Sequence, residues 1–290
     1  MALKHSSIKL LAWLFQPEKH ATHEVIHSAT LENIKKKGLE IPEKFTTLTR
    51  PYLDYSDLDI FFPELTQAGQ RSLISLLKSQ LYLEKSSIAS RPAASSGLVP
   101  GASTSVYSTG YARDALKAQF PVFSLIDAPW QGGWSIIIFL DSPKSDPQFR
   151  YLRSKLIGYK ASQLKSGVYL YPGQLPDECL LLLKQLYVGS VVVWQTDTWR
   201  FGDERQVIMT LFNLSASFSV LSGISNELYQ LLAIVDVQKG LTKRQKAMLF
   251  MVFNRYVVLI EQEAGILPRY FPQAEEYSHI LCLFQLLYLL

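Results

Sequence analysis

Cysteine is nearly absent from this sequence, with only Cys179 and Cys282 in 290 residues. Both lie in apolar helical runs, so neither a disulfide framework nor a cysteine-based zinc cluster can be assembled, and buried thiols in a reducing compartment are expected. An excess of one charge sign is also lacking. Lysine and arginine number 29 against 25 acidic residues, a formal net charge of +4. That balance permits contact with nucleic acid without requiring it, because a local patch matters more than a total. No run reaches the roughly 20 apolar residues that a bilayer-spanning helix takes. The Ile280–Leu290 run falls short and reads as a core or dimer-interface helix. Ile8–Phe15 is shorter still and has no small-residue cleavage pattern, so no signal peptide is expected. The sequence also lacks a glycine-rich phosphate loop, which argues against ATP use. Its five histidines form no metal-ligand spacing with the cysteines. His20, His23 and His27 share helical spacing, which suits either a transition-metal site or a solvated helix face. These absences point to a cytoplasmic protein without membrane contact, metal or cofactor.

What is present is a globular composition, 48% hydrophobic and 19% charged, long enough for two or three domains. Residues 5–15 read as an apolar helix closed by Pro17. Leu31–Gly38 reads as a helix end, with lysines at the negative pole and Gly38 suited to a left-handed cap. Prolines at 42, 51 and 63 then divide the chain into short pieces.

From Thr66 the pattern sharpens. Thr66 is an N-cap for a helix that places Gly69, Leu73, Leu76, Leu77 and Gln80 along one side. Gln67, Gln70, Arg71, Ile74 and Lys78 fall largely on the other. A short strand at Leu81–Glu84, a Ser/Ala/Gly/Pro-rich loop over 86–105, a returning strand at Val106–Thr109 and a helix to Phe120 follow. Helix, strand, loop, strand, helix is the order of a winged helix. It also fits a hairpin in another small α+β domain.

The next unit centres on Trp130-Gln131-Gly132-Gly133-Trp134, a glycine-broken turn that runs into the apolar strand Trp134–Leu140 and stops at Asp141. Pro147 opens a basic helix ended by Gly158, Gly167–Tyr171 supplies another strand, and Pro176 opens a leucine-rich helix. Ser190–Trp194 is the last strand. The order is β-α-β-β-α-β. Beyond residue 200 the signal is helical, in pieces over 203–235, 242–262 and 273–290, with a break expected at Gly223.

These motifs resemble the PaaX family, transcriptional repressors of phenylacetic acid degradation. The resemblance rests on Leu65–Lys78 with Leu81-Tyr82-Leu83 and Tyr107–Leu116. It rests also on the Trp130–Trp134 turn with Phe139, Arg150, Arg153, Gly158, Gly167 and Pro172 behind it, and on Arg255-Tyr256 with Gly265–Pro268 and Phe271-Pro272. It departs from the family over residues 16–63, and where a basic wing gives way to a Ser/Ala-rich loop. It implies an α+β chain of three domains: a winged helix over 1–122, a ferredoxin-like domain over 123–200, and an all-helical dimerisation or effector domain over 201–290.

The expected function is a dimeric regulator of double-stranded DNA. Glutamine and arginine pair with base edges in the major groove, which nominates Gln67, Gln70 and Arg71, supported by Ser75. Lys78, and Lys85 and Arg91 of the wing, would meet phosphates. The same polar residues also suit an ordinary solvated face. Trp130, Trp134, Trp194 and Trp199, with Arg150 and Arg153, are candidates for a domain junction or for an effector site. The family's response to an aromatic acyl-coenzyme A thioester implies a small acidic or acyl-CoA-like effector. Two rival readings remain. In one, paired Asp141 carboxylates hold a divalent cation in a metal-dependent nuclease, although Asp141 serves equally as a turn former. In the other, the charge-poor wing marks a protein-interaction module that has lost DNA binding.

Overall fold

The computed structural model describes residues 4–15, 28, 30–32, 34–36, 51–80, 82–87, 104–120, 122–123, 130, 132–141, 146–187, 189–199, 202–235, 240–273 and 277–289. They form a mixed α+β architecture with two antiparallel sheets. The chain divides into two compact units. One comprises Met1–Ala118, Gly223–Val258 and Glu276–Leu290, and the other comprises Gln119–Ser222 and Leu259–Glu275. The three-histidine segment and Arg91 lie outside the described residues.

In the first unit, α1 (His5–Trp13) precedes β1 (Leu53–Asp54), a single 3-10 turn, α2 (Leu58–Phe61) and α3 (Gln67–Ser79). The strands β2 (Leu83–Ser87) and β3 (Thr104–Ser108) follow, then α4 (Gly110–Gln119). β3 lies between β1 and β2, antiparallel to both. The first hairpin strand begins later than the sequence pattern predicts. The Tyr82 amide closes the end of α3 by donating to the Leu77 carbonyl at 2.8 Å, so extended pairing starts only at Leu83.

Aromatic packing builds this unit's core. The buried Trp13 ring meets Phe61, Phe250, Phe253 and Tyr288 edge-on, at centroid distances of 5.5, 5.2, 4.8 and 5.3 Å. Edge-to-face geometry suits the ring quadrupoles, and truncating one such ring costs about 3–5 kcal/mol. Those partners lie on α2, on α9 (Lys243–Gln262) and on α11 (Tyr277–Leu289). The Gln285 amide donates to the carbonyls of Trp13 and Phe15 at 2.9 and 3.1 Å, satisfying acceptors that the end of α1 leaves open. The apolar C-terminal helix is thus a core helix within the chain: Ile280, Leu281, Leu283, Phe284, Leu287 and Tyr288 are all buried. Apolarity on every side is what full burial selects.

The second unit carries β4 (Trp134–Phe139), α5 (Pro147–Gly158), β5 (Ser162–Lys165), β6 (Val168–Pro172), α6 (Asp177–Tyr187) and β7 (Val191–Thr196). The strand order is β5-β6-β4-β7, every neighbouring pair antiparallel. Strand alternation sends Ile137, Phe139, Tyr169 and Tyr171 to one face, where they pack with Phe149, Leu152 and Leu156 of α5 and with Cys179 and Leu183 of α6. Asp146 caps α5 by accepting from the Gln148 amide at 2.8 Å, with Pro147 at the first helical position.

The helical run after residue 203 breaks earlier than the glycine pattern predicts. α7 (Glu204–Leu211) ends at Asn213, whose φ of 52° marks a left-handed cap, and α8 (Leu214–Ile234) continues straight through Gly223. α10 (Leu267–Tyr270) completes the second unit's helices among the described residues. No single described helix is long and apolar enough to cross a membrane. α7 and α8 together pass by length and composition but meet at a 68° bend.

Candidate functional site

The polar face of α3 is the first candidate. Thr66 caps this helix, its hydroxyl accepting from the Gly69 amide at 3.2 Å. Gln67, Arg71, Ser72 and Ser75 are exposed, and Lys78 is half-buried. Gln70 does not join them. It is 5% exposed, and its amide donates to the carbonyls of Phe62 and Leu65 at 3.4 and 3.2 Å, tying the start of α3 to the turn before it. Ile74 is buried beside it, while Leu76 is 47% exposed. The helix is therefore rotated relative to the sequence expectation: Gln70 and Ile74 face inward and Leu76 faces solvent. A glutamine whose donors are satisfied by backbone carbonyls is unavailable to a base edge. Lys85 occupies β2 opposite Val106. Arg71 is the one exposed cation on α3, and the acids Asp59 and Glu64 are exposed in the segment that precedes it.

A buried polar group secures the elements ahead of α3. Asp57, almost fully buried, accepts from the Tyr288 hydroxyl at 2.6 Å and from the Lys246 ammonium at 2.7 Å. The Lys9 ammonium donates to the Phe61 carbonyl and lies over the Phe61 and Phe62 rings at 4.9 and 5.2 Å. Burial pushes its pKa below the ordinary lysine value, against the opposing pull of Glu64.

The second candidate is the tryptophan turn of the second unit. Gly132 and Gly133 adopt φ of 97° and 89°, a region in which a side chain is strained. The Gly132 position is doubly restricted, because a Cβ there would sit 3.3 Å from the guanidinium nitrogens of Arg269. The turn sets Trp130 edge-on to Trp134 at 4.8 Å, with Tyr270 stacked beside it at 6.5 Å and the Arg269 guanidinium over its ring at 5.2 Å. Trp134 in turn packs on Phe212 at 5.8 Å.

A hydrogen-bond frame fixes this arrangement. The Tyr270 hydroxyl donates to Glu204 at 2.8 Å, and the Arg205 guanidinium donates to the Tyr270 carbonyl at 2.6 Å. Burial and then the bond to Glu204 raise the phenol's pKa, which keeps it a neutral donor. The indole N–H of Trp130 is buried and has no hydrogen-bond partner. Beside the frame, an open depression of about 490 Å³ is lined by Asp203, Arg205, Gln206, Thr210, Asn213 and Ser215.

The other residues nominated with the tryptophans are placed elsewhere. Arg150 is exposed on α5, and Arg153 donates to the Gln163 side chain at 3.2 Å. Trp199 packs near Gly202, and its indole N–H is likewise without a partner. Trp194 stands 65% exposed on β7. Asp141 is exposed at the end of β4, and the described residues contain no group of three or more His, Cys, Asp or Glu side chains able to hold a metal. Sequence reasoning missed Arg205, Arg269 and Tyr270. The only signal for Arg269 was its place between Leu267-Pro268 and Phe271-Pro272, which says nothing about Trp130.

No family model matches the chain, and no curated protein matches it. Among solved structures the chain is similar to an uncharacterized protein from Mycobacterium tuberculosis. The identity is 12% and the TM-score 0.36, with 80% of this chain and 89% of that chain covered.

Proposed function

We propose that the chain is a sequence-specific DNA-binding transcription regulator that acts as a dimer. Its first unit is read as a winged helix. What supports this is the order α1, β1, α2, α3, β2, β3, with β3 between its neighbours, which sets α3 directly before a two-stranded wing. The second unit is read as ferredoxin-like, supported by its β-α-β-β-α-β order and its β5-β6-β4-β7 sheet.

The observation that carries the DNA reading is the exposed set on α3. Gln67, Arg71 and Ser75 recur every fourth residue along one line of the helix, with Ser72 beside them. Arginine and glutamine in such a line suit paired hydrogen bonds to guanine and adenine in the major groove. Repression, and release by a small acidic or acyl-CoA-like metabolite, follow from the resemblance to PaaX-family repressors. The tryptophan turn, with Arg205 and Arg269 at hand, is where such a ligand would be sought.

A titration of random duplex DNA against salt tests the reading. Phosphate contacts give a log–log slope near −0.9 per neutralised phosphate, so retention that falls steeply with salt is expected. Salt-independent retention, or none, would overturn it.

A second reading, a protein-interaction module, is favoured by one observation. Leu76 stands exposed on the same helix, and Asp59 and Glu64 are exposed just ahead of it. Apolar and acidic groups suit a protein partner better than a phosphate backbone.

A further inference from the structure

The basic helix of the second unit belongs to no site described above. Between Pro147 and Pro176 the chain carries five cations and no carboxylate, although acids nearly balance cations over the whole chain, 25 against 29. The fold sorts these five. Lys155 turns its ammonium over the Tyr151 ring at 5.8 Å, and Lys160 is half-buried. The other three stay together. Arg150 and Arg153 are exposed one turn apart on α5, and Lys165 is exposed on β5. Gln163 joins the two elements: its side chain accepts from the Arg153 guanidinium at 3.2 Å and donates to the Lys165 carbonyl at 3.3 Å.

None of these three cations is neutralised. Arg113, Lys246 and Arg255 pair with Asp114, Asp57 and Glu227, whereas Arg150, Arg153 and Lys165 form no ion pair among the described residues. Two of the acids that flank the segment are engaged elsewhere. Asp146 caps α5 by accepting from the Gln148 amide, and at that helix's other end Glu178 accepts from the Tyr159 hydroxyl at 2.8 Å. Ser154 and Ser166, also exposed, add neutral hydrogen-bonding groups on the same two segments. Arginine, lysine and serine without carboxylates are the set that meets phosphate oxygens.

We propose that this flank of the second unit, through Arg150, Arg153 and Lys165, binds the phosphate backbone of duplex DNA without reading its bases. Magnitude selects the occupant. Ile157 and Leu164 are exposed on the same two elements and would suit an acidic protein. Three exposed ion pairs to separate carboxylates, however, contribute almost nothing net, since each costs side-chain entropy and is screened by salt. A duplex differs because its charge is condensed. Each phosphate neutralised releases a counterion, and that gain tolerates flexible, exposed side chains. The assignment rests on the regulator reading, which makes DNA the partner. It adds a base-independent contact in a unit other than that of α3.

Fluorescence anisotropy of the full chain with a random duplex of about 40 base pairs, across about 50–200 mM salt, tests it. Arg150→Gln/Arg153→Gln is expected to make the log–log slope shallower by about 2, and Lys165→Gln by about 1. Arg150→Lys/Arg153→Lys keeps the slope, because charge and not the guanidinium fork is what counts here. Lys243→Gln/Arg244→Gln, an exposed pair on α9, removes the same charge as the α5 double variant and leaves the slope unchanged. All these side chains are exposed, so melting temperatures are expected to stay as in the wild type. An unchanged slope in the Arg150→Gln/Arg153→Gln variant overturns the proposal. So does an equal drop in the α9 variant, the mark of bulk charge alone. Polyglutamate that binds as tightly as the duplex also overturns it, in favour of an acidic protein partner. The two readings fail separately. Enrichment of a symmetric site, with a slope insensitive to α5, would sink the flank and spare the regulator. Steep binding that needs the α5 cations and enriches no sequence would do the reverse. A chain that binds no duplex loses both.

Discussion

The side chain of Gln70 donates to the carbonyl of Leu65 at 3.2 Å, within the same molecule. That bond, with its companion to Phe62, fixes the rotation of α3 and assigns Arg71 and Gln67 to solvent. Gln70→Ala is expected to lower stability by about 1–2 kcal/mol, the cost of taking the Gln70 donor from the Leu65 carbonyl and of leaving the Phe62 carbonyl with the Leu65 amide alone. It should not alter DNA sequence preference. Urea unfolding measures the first, and competition between duplexes measures the second.

Asp57 predicts a larger effect. Tyr288→Phe removes one of its two donors and should cost about 1–2 kcal/mol. Asp57→Ala leaves Lys246 and the Tyr288 hydroxyl without their acceptor. Because Lys246 is partly exposed, the expected loss is about 2–3 kcal/mol, below that for a fully buried pair. Chemical denaturation of both variants checks the ranking.

The tryptophan turn separates backbone strain from ring contact. Arg269→Ala loses a cation–π contact near the surface, expected at about 0.5–1 kcal/mol. Gly132→Ala forces a side chain into a positive-φ position against that same guanidinium and should cost more, about 1–3 kcal/mol. If Gly132→Ala proved the milder change, the close approach of Arg269 to the turn would be wrong.

How much of this was legible in the sequence differs from element to element. The cap at Thr66 and the helix start at Pro147 were readable because both are local chemistry, and the Thr66 hydrogen bond and the proline at the first helical position are present; the Asp146 cap appears only in the structure. The strands β4, β6 and β7 were readable from β-branched runs bounded by glycine and aspartate. The rotation of α3 was not. Ile74 and Leu76 are both apolar and Gln70 serves either surface, so the choice depends on which carbonyls the preceding turn leaves open. The break at Asn213 was hidden because asparagine at positive φ is a conformational choice, while Gly223 drew attention and sits undisturbed inside α8. The aromatic core joining Trp13 to Phe253 and Tyr288, and the placing of Arg269 over Trp130, are non-local. Each half reads as a generic apolar or basic residue until the chain brings the halves together.

The cysteines give a pH dependence of definite sign. Burial pushes the Cys282 thiol from 9.0 up to about 12, with the Thr30 hydrogen bond opposing. A group raised on folding contributes stability that is complete below its unfolded value and is lost as pH climbs toward the folded one. Stability is therefore expected to fall from about pH 9 upward, by roughly 1.4 kcal/mol per pH unit for this thiol. Urea midpoints at about pH 8 and pH 10 should differ less in Cys282→Ala than in the wild type. Neither Cys282 nor the buried Cys179 should react with a thiol reagent until the protein unfolds.

Selecting bound duplexes from a random pool tests most directly whether the exposed line on α3 reads DNA. The wild type should enrich a two-fold-symmetric site, and Arg71→Ala and Gln67→Ala should each relax one position of it at a cost of about 1–3 kcal/mol. Gln70→Ala should enrich the same site as the wild type. Absence of any enriched sequence, or an identical site from the Arg71 and Gln67 variants, would contradict the account.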